Sequence, residues 1–190
     1  MVDEAHSMGV LGQHGRGLAE AANVEQDVDF IVGTFSKSLG AIGGFCVSNH
    51  PELDLVRYVS RSYVFTASPS PASIASVREA LQIIQSRPQL RTRLWENVSQ
   101  LYQGLQQLGF ELGPDPSPIV AIRVPTREKA LQTWKALLEQ GIYVNLVFPP
   151  AAPAGLCLLR CSINAAHTTE QINYILAAFS ALQPMMTAQG

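Results

Sequence analysis

Apolar positions change their period several times along the chain. Ile74, Val77, Leu81 and Ile84 recur at three- and four-residue steps, and so do Leu90, Leu94, Val98, Leu101, Leu105 and Leu108. That spacing lays one apolar stripe along each of two helices. Ser70-Pro71 supplies an N-cap and a first-turn proline for the first helix, which must stop before Pro88. Gly109 supplies the left-handed cap that ends the second. Two short apolar runs bounded by glycine, 29–33 and 43–48, predict buried strands, and Pro51 opens a short helix predicted over 51–60. Between the two strands lies Thr34-Phe35-Ser36-Lys37-Ser38-Leu39-Gly40, a loop of mainly small and polar residues.

Gly113-Pro114-Asp115-Pro116-Ser117-Pro118 is stiff and polar, which predicts a boundary between a part spanning 1–113 and a part spanning 114–190. The second part reads as a small α+β unit with helices packed on one face of a mainly antiparallel sheet. Its predicted elements are a strand over Ile119–Val124 and a helix capped by Thr126 and stopped by Gly141. A short strand over Tyr143–Val147 and a clearer one over Leu156–Ser162 follow. Thr168 and Gln171 make a capping box for a last helix through Ile172, Ile175, Leu176 and Phe179, with a frayed tail from Pro184.

With 47% hydrophobic and 15% charged residues, the 190-residue chain is built to bury a core. A net charge of −2 and a pI near 6.1 give no basic face for nucleic acid or anionic lipid. No apolar run is long enough for a bilayer and no export signal precedes Asp3, which predicts a cytoplasmic protein with Cys46, Cys157 and Cys161 reduced. Cys157 and Cys161 lack a histidine at ligand spacing and read as buried small hydrophobes, so no metal site is expected. Met1-Val2 leave no room for a strand ahead of Asp3-Glu4-Ala5-His6, so the chain is expected to begin within a domain.

Three polar clusters stand out. In Asp3-Glu4-Ala5-His6-Ser7-Met8-Gly9 a carboxylate and an imidazole could face one ligand, or Asp3 could simply cap an exposed turn. In Gly33-Thr34-Phe35-Ser36-Lys37 an amine follows two hydroxyls between predicted buried strands, an arrangement that can hold a phosphate beside a Schiff-base lysine. Arg160, inside the apolar run Leu158–Ser162, must either pair with a carboxylate or bind an anion.

Taken in order, Asp3–His6, Gly33–Lys37, Tyr63–Ser68, Pro149–Gly155 and Arg160 resemble the α-oxoamine synthase family, fold-type-I enzymes that use pyridoxal 5'-phosphate (PLP). The wording of Val2–Gly17, Gly33–Lys37, Phe45–Pro51 and Tyr63–Ser68 is most similar to the bacterial serine palmitoyltransferase branch. The 8-amino-7-oxononanoate synthase and glycine C-acetyltransferase branches, the nearest alternatives, usually carry a different pair of residues before the lysine. The resemblance implies an α/β fold. Residues 1–113 would be the C-terminal portion of a PLP-transferase (aspartate aminotransferase-like) large domain, and 114–190 a small C-terminal α+β domain. The family's first half would be missing.

By position, the resemblance implies that Asp3 pairs with the ring nitrogen of PLP and His6 with its phenolic oxygen, while Thr34 and Ser36 lie near the phosphate. Lys37 would join the cofactor covalently and then move the substrate's Cα proton, and Arg160 would take the substrate carboxylate. Thr66 and Ala67 would reach the phosphate of a second subunit in a homodimer, and Pro149–Gly155 would help close the site. The implied reaction is a decarboxylative condensation of an amino acid, L-serine above others, with an acyl-CoA thioester. Two readings of other kinds stand beside it. An incomplete copy could serve as a non-catalytic partner subunit. Asp3-Glu4-Ala5-His6 also spells the DEAH motif of helicases, where the Asp would hold Mg2+ and the Glu would activate water; against that, no phosphate loop and no arginine-rich motif follow.

Overall fold

The computed structural model describes residues 1–187. The chain divides into two compact units, Met1–Arg91 and Thr92–Gly190. This division falls earlier than the line at residue 113 expected from loop composition. The long helix Gln89–Gln107 buries Leu94, Asn97, Val98, Leu101 and Leu105, all on the second side of the division.

The first unit holds β1 (Val2–Asp3), α1 (Leu18–Ala21), β2 (Ile31–Thr34), β3 (Gly44–Val47), α2 (Leu53–Val59), α3 (Arg61–Val64) and α4 (Pro71–Ser86). Its sheet runs β1-β2-β3, with β1 parallel and β3 antiparallel to β2. Met1-Val2 therefore do leave room for a strand: Val2 pairs with Ile31 and Asp3 with Val32. Neither longer strand is buried as expected; β2 is half-buried throughout and β3 is exposed at three of four positions. Glycine-bounded apolar runs report strand formation, but burial depends on what lies against each face. The helix expected from Pro51 starts at Leu53.

Ser70 caps α4 as expected, its side chain accepting the Ser73 N–H. Val77 of α4 is buried with Phe35 and Leu39, and Ala80, Ile84 and Phe45 pack against them. Ile74 and Leu81 of the predicted stripe remain exposed. The core under the Lys37 loop is thus small, and the covered face of α4 is narrower than its apolar stripe.

The second unit continues α5 (Gln89–Gln107) into β4 (Ile119–Val124), α6 (Arg127–Glu139), β5 (Asn145–Val147), β6 (Cys157–Ser162) and α7 (Thr169–Thr187). Its sheet is antiparallel with the order β4-β6-β5. Thr126 accepts the Lys129 N–H, and the Thr168 capping box closes in both directions, with the Thr168 N–H on Gln171 Oε1 at 3.0 Å and the Gln171 N–H on Thr168 Oγ1 at 3.2 Å. The tail expected to fray from Pro184 is helical as far as Thr187, and its last three residues lie outside the described residues. α7 carries Pro184 inside it and runs to Thr187, held by Met186, which is 1% exposed, and by Gln183 donating to the Leu108 carbonyl at 2.8 Å.

Cys46, Cys157 and Cys161 are all free thiols; Cys161 is buried, whereas Cys157 is only half-buried and Cys46 is exposed. Burial pushes the Cys161 thiol up to about 12. Iodoacetamide at neutral pH is therefore expected to spare Cys161 until denaturant is added, as read by peptide mass spectrometry. Rapid alkylation of Cys161 in the folded protein would contradict the packing of β6. Among the described residues no helix is long and apolar enough to cross a membrane.

Candidate active site

The candidate site begins where the parallel pair β1–β2 ends. In α/β sheets the carboxyl ends of parallel strands open onto a crevice in which ligands bind. Asp3 is the last residue of β1, and the next amide, that of Glu4, donates to the Val32 carbonyl at 2.7 Å and extends the ladder. The chain then folds into a tight turn in which the Ser7 and Met8 amides donate to the Glu4 carbonyl. Asp3 Oδ1 accepts the Ala5 N–H at 2.8 Å, so the turn-capping role weighed from the sequence is present and fixes that carboxylate's direction. Asp3 forms no ion pair among the described residues, and both Asp3 and His6 are exposed.

Strand β2 ends at Thr34 and hands over to the loop bearing Lys37. The loop is short and closed. Phe35 donates its N–H to the Gly43 carbonyl at 2.9 Å, Ala41 donates to Phe35 at 2.8 Å, and Gly40 donates to Lys37 at 3.1 Å. Phe35 and Leu39 turn inward, which leaves Ser36, Lys37 and Ser38 on the outside. Thr34 Oγ1 accepts the Ser36 N–H at 3.2 Å, donates to the Gly43 carbonyl at 3.1 Å, and lies 2.8 Å from Ser36 Oγ. The two hydroxyls expected beside a phosphate are therefore one joined pair. Gly9 adjoins this loop, since a Cβ placed there would lie 3.1 Å from Ser38 Cβ. The buried setting expected for Lys37 is not found: its neighbours are small, but β3 and the loop leave the side chain exposed.

Glu4 is the residue that sequence reasoning missed. Its side chain is 0% exposed, Oε1 accepts the Ala19 N–H at 2.8 Å, and Oε2 accepts the Leu18 N–H at 2.6 Å together with the Ser7 hydroxyl. This carboxylate is fully engaged by donors inside the protein, which removes the water-activating role that the helicase reading required of it. Glu20 holds the same loop from the other side. It accepts the backbone N–H of His14 at 3.0 Å and of Arg16 at 2.9 Å, with the His14 ring at 2.6 Å. Burial pulls the Glu20 pKa upward, yet these donors and the Arg16 charge hold it below the usual carboxylate value. Its stabilising contribution is thus present at neutral pH and fades as acidification passes the folded-state value. Gly9, Gly12, Gly15 and Gly17, all at positive φ, were the signal that this loop wraps tightly around acceptors.

In the second unit Arg160 sits in the middle of β6, between Ala121 of β4 and Asn145 of β5. Its neighbours Leu159 and Cys161 are buried, so alternation turns Arg160 to the opposite face, where it is half-buried. No carboxylate pairs with it among the described residues, which leaves the anion-binding alternative as the one without a contrary observation. Thr66 and Ala67 lie on an exposed stretch after α3, with no hydrogen bond to the Lys37 loop among the described residues. The 149–155 segment is anchored at Ala152, which is 4% exposed and donates its N–H to the Phe148 carbonyl at 3.1 Å.

Known proteins share this sequence and fold. The family described as Aminotransferase class I and II matches residues 1–179. A serine palmitoyltransferase of Caulobacter vibrioides is 55% identical, covering all of this chain and 48% of the relative. An 8-amino-7-oxononanoate synthase of Alkaliphilus metalliredigens is 34% identical over 94% of this chain and 45% of its own length. A high-resolution structure of SPT with PLP internal aldimine superposes with a TM-score of 0.93 at 48% identity, over 97% of this chain and 47% of that one. The chain thus spans about half the length of the curated relatives it matches.

Proposed function

The chain belongs to the class I and II aminotransferase family, and from that premise we propose that it is part of a PLP-dependent C-acyltransferase that condenses L-serine with a long-chain acyl-CoA. The observation that carries the reading is that Asp3 ends β1 while the loop bearing Lys37 leaves the neighbouring end of its parallel partner β2, with the Thr34–Ser36 hydroxyl pair at the start of that loop. The donor set fits PLP group by group. A carboxylate of fixed direction suits a protonated ring nitrogen, hydroxyls suit a phosphate, and a primary amine on a loop edge can reach an aldehyde. Serine as substrate is favoured by the higher identity to the serine palmitoyltransferase.

PLP, when bound, supplies an electron sink for charge developing at the substrate Cα. The chain's own residues do the rest. Asp3 would hold the ring nitrogen, His6 the phenolic oxygen, and Thr34 with Ser36 the phosphate. Lys37 would hold the cofactor through its amine, and that amine would also take the substrate's Cα proton. Arg160, the guanidinium of the second unit's sheet with no carboxylate partner among the described residues, would take the substrate carboxylate. The Cα then bonds to the acyl carbonyl carbon as the C–S bond breaks, and CoA leaves as a thiolate that takes its proton from water. The Cα–carboxylate bond breaks next, CO2 departs, and a proton returns to Cα. A second copy would bring Thr66 and Ala67 to the phosphate. Support for such a homodimer comes from α2 and α3, which bury no residue; Tyr58 of α2 is 80% exposed and Phe65, just past α3, is 85% exposed.

The reading is tested by incubating the protein with PLP, L-serine and palmitoyl-CoA. Free thiol and CO2 are expected in equal amounts; thiol release with alanine or glycine but not with serine would move the assignment to a neighbouring branch. Arg160→Ala is expected to raise the serine KM about 10–100-fold, the worth of hydrogen bonds to a charged group, with the cofactor's absorbance intact. Unchanged serine saturation in that variant would return Arg160 to a purely structural role.

A further inference from the structure

Glu4 stands between two residues assigned to the cofactor, Asp3 and His6, and it cannot itself reach a ligand because it is wholly buried. Its contacts tie three stretches of chain together. The backbone N–H joins it to β2 through Val32, and its carbonyl accepts the Ser7 and Met8 amides that make the turn on which His6 lies. Its carboxylate collects Ser7 Oγ and the amides of Leu18 and Ala19 from the far end of the loop. No lysine or arginine forms an ion pair with this carboxylate among the described residues. A buried carboxylate held this way is costly to disturb, because removing one donor leaves charge in a dry setting.

We propose that Glu4 is a positioning residue for the PLP site. By closing the 5–17 loop back onto the end of β1, it sets the directions of the Asp3 carboxylate and the His6 ring. The inference rests on the assignment of Asp3 and His6 to the cofactor. Glutamine at position 4 keeps the shape but turns an N–H toward the Leu18 or Ala19 N–H, so the loop must shift to relieve two facing donors. Partners that orient ligating side chains typically alter affinity 10–100-fold when removed, and a comparable effect is expected here.

The test compares Glu4→Gln, Ser7→Ala, Asp3→Asn and His6→Ala in the intact protein. PLP titration gives affinity, and the bound cofactor's absorbance maximum across pH reports its contacts. Glu4→Gln is expected to weaken PLP roughly tenfold or more and to displace the absorbance in the direction seen for Asp3→Asn or His6→Ala, with Ser7→Ala giving a smaller change of the same sign. If Glu4→Gln does not fold, Ser7→Ala decides the matter alone. A folded Ser7→Ala or Glu4→Gln protein with a lower melting temperature but unaltered affinity and absorbance would overturn the inference, since a merely structural role predicts that result. If Asp3→Asn and His6→Ala also leave the absorbance unchanged, the cofactor assignment itself is what fails.

Discussion

Lys37→Ala is expected to abolish covalent attachment of PLP and to lower turnover by at least about 10⁴-fold, because one substitution removes both the anchoring amine and the group that moves the Cα proton. Borohydride treatment of the wild-type protein should fix the cofactor's mass to the peptide containing residue 37, and the variant should lose that label along with the yellow absorbance. The chain provides its own control. It holds only two other lysines, Lys129 and Lys135, and both lie on α6 in the second unit. Label on the α6 peptide, or an unchanged spectrum in the variant, would remove Lys37 from the mechanism and with it the proposed reaction. The geometry favours the expected result. Phe35 and Leu39 anchor the loop to the core, and Ser36 and Lys37 project from it between two backbone closures.

The parts of this architecture that could be read from sequence are those fixed by local chemistry. Ser70 before Pro71, Thr126 before its helix, and Thr168 with Gln171 each satisfy backbone donors within three residues, so their geometry follows from the local string alone. The stripe of α5 was legible too, because Leu94, Val98, Leu101 and Leu105 all face one core. What could not be read depends on distant partners. Asp3-Glu4 looks like an exposed acidic turn until Leu18 and Ala19, far along the chain, deliver their amides to Glu4. Pro184 looks like a helix end, but Met186 and Gln183 find tertiary contacts that keep α7 helical beyond it. The burial of β3 and Lys37 was overestimated for the same reason: an apolar run records a preference for cover and says nothing of whether cover is there.

Gly17→Ala is expected to cost about 3–5 kcal/mol of stability. Two effects add. Gly17 has φ 116 and ψ −160, a region that side-chain-bearing residues avoid, with strain of roughly 1–3 kcal/mol. Its Cβ would also collide with the Glu4 carboxylate, lying 2.9 Å from Oε1 and closer still to Oε2. Relief by moving that carboxylate would pull it from the Leu18 and Ala19 amides, and a buried charge stripped of donors is the more expensive term. Gly40→Ala separates the two effects. Gly40 also has a left-handed φ of 61°, but a Cβ there meets nothing within 4 Å, so only the backbone term of about 1 kcal/mol should appear. Urea denaturation of both variants measures the difference directly, with an equal m-value required for the comparison. Equal losses at the two positions would mean that Glu4 yields without cost, and the clamp that orders the loop behind Asp3 and His6 would then have no energetic basis.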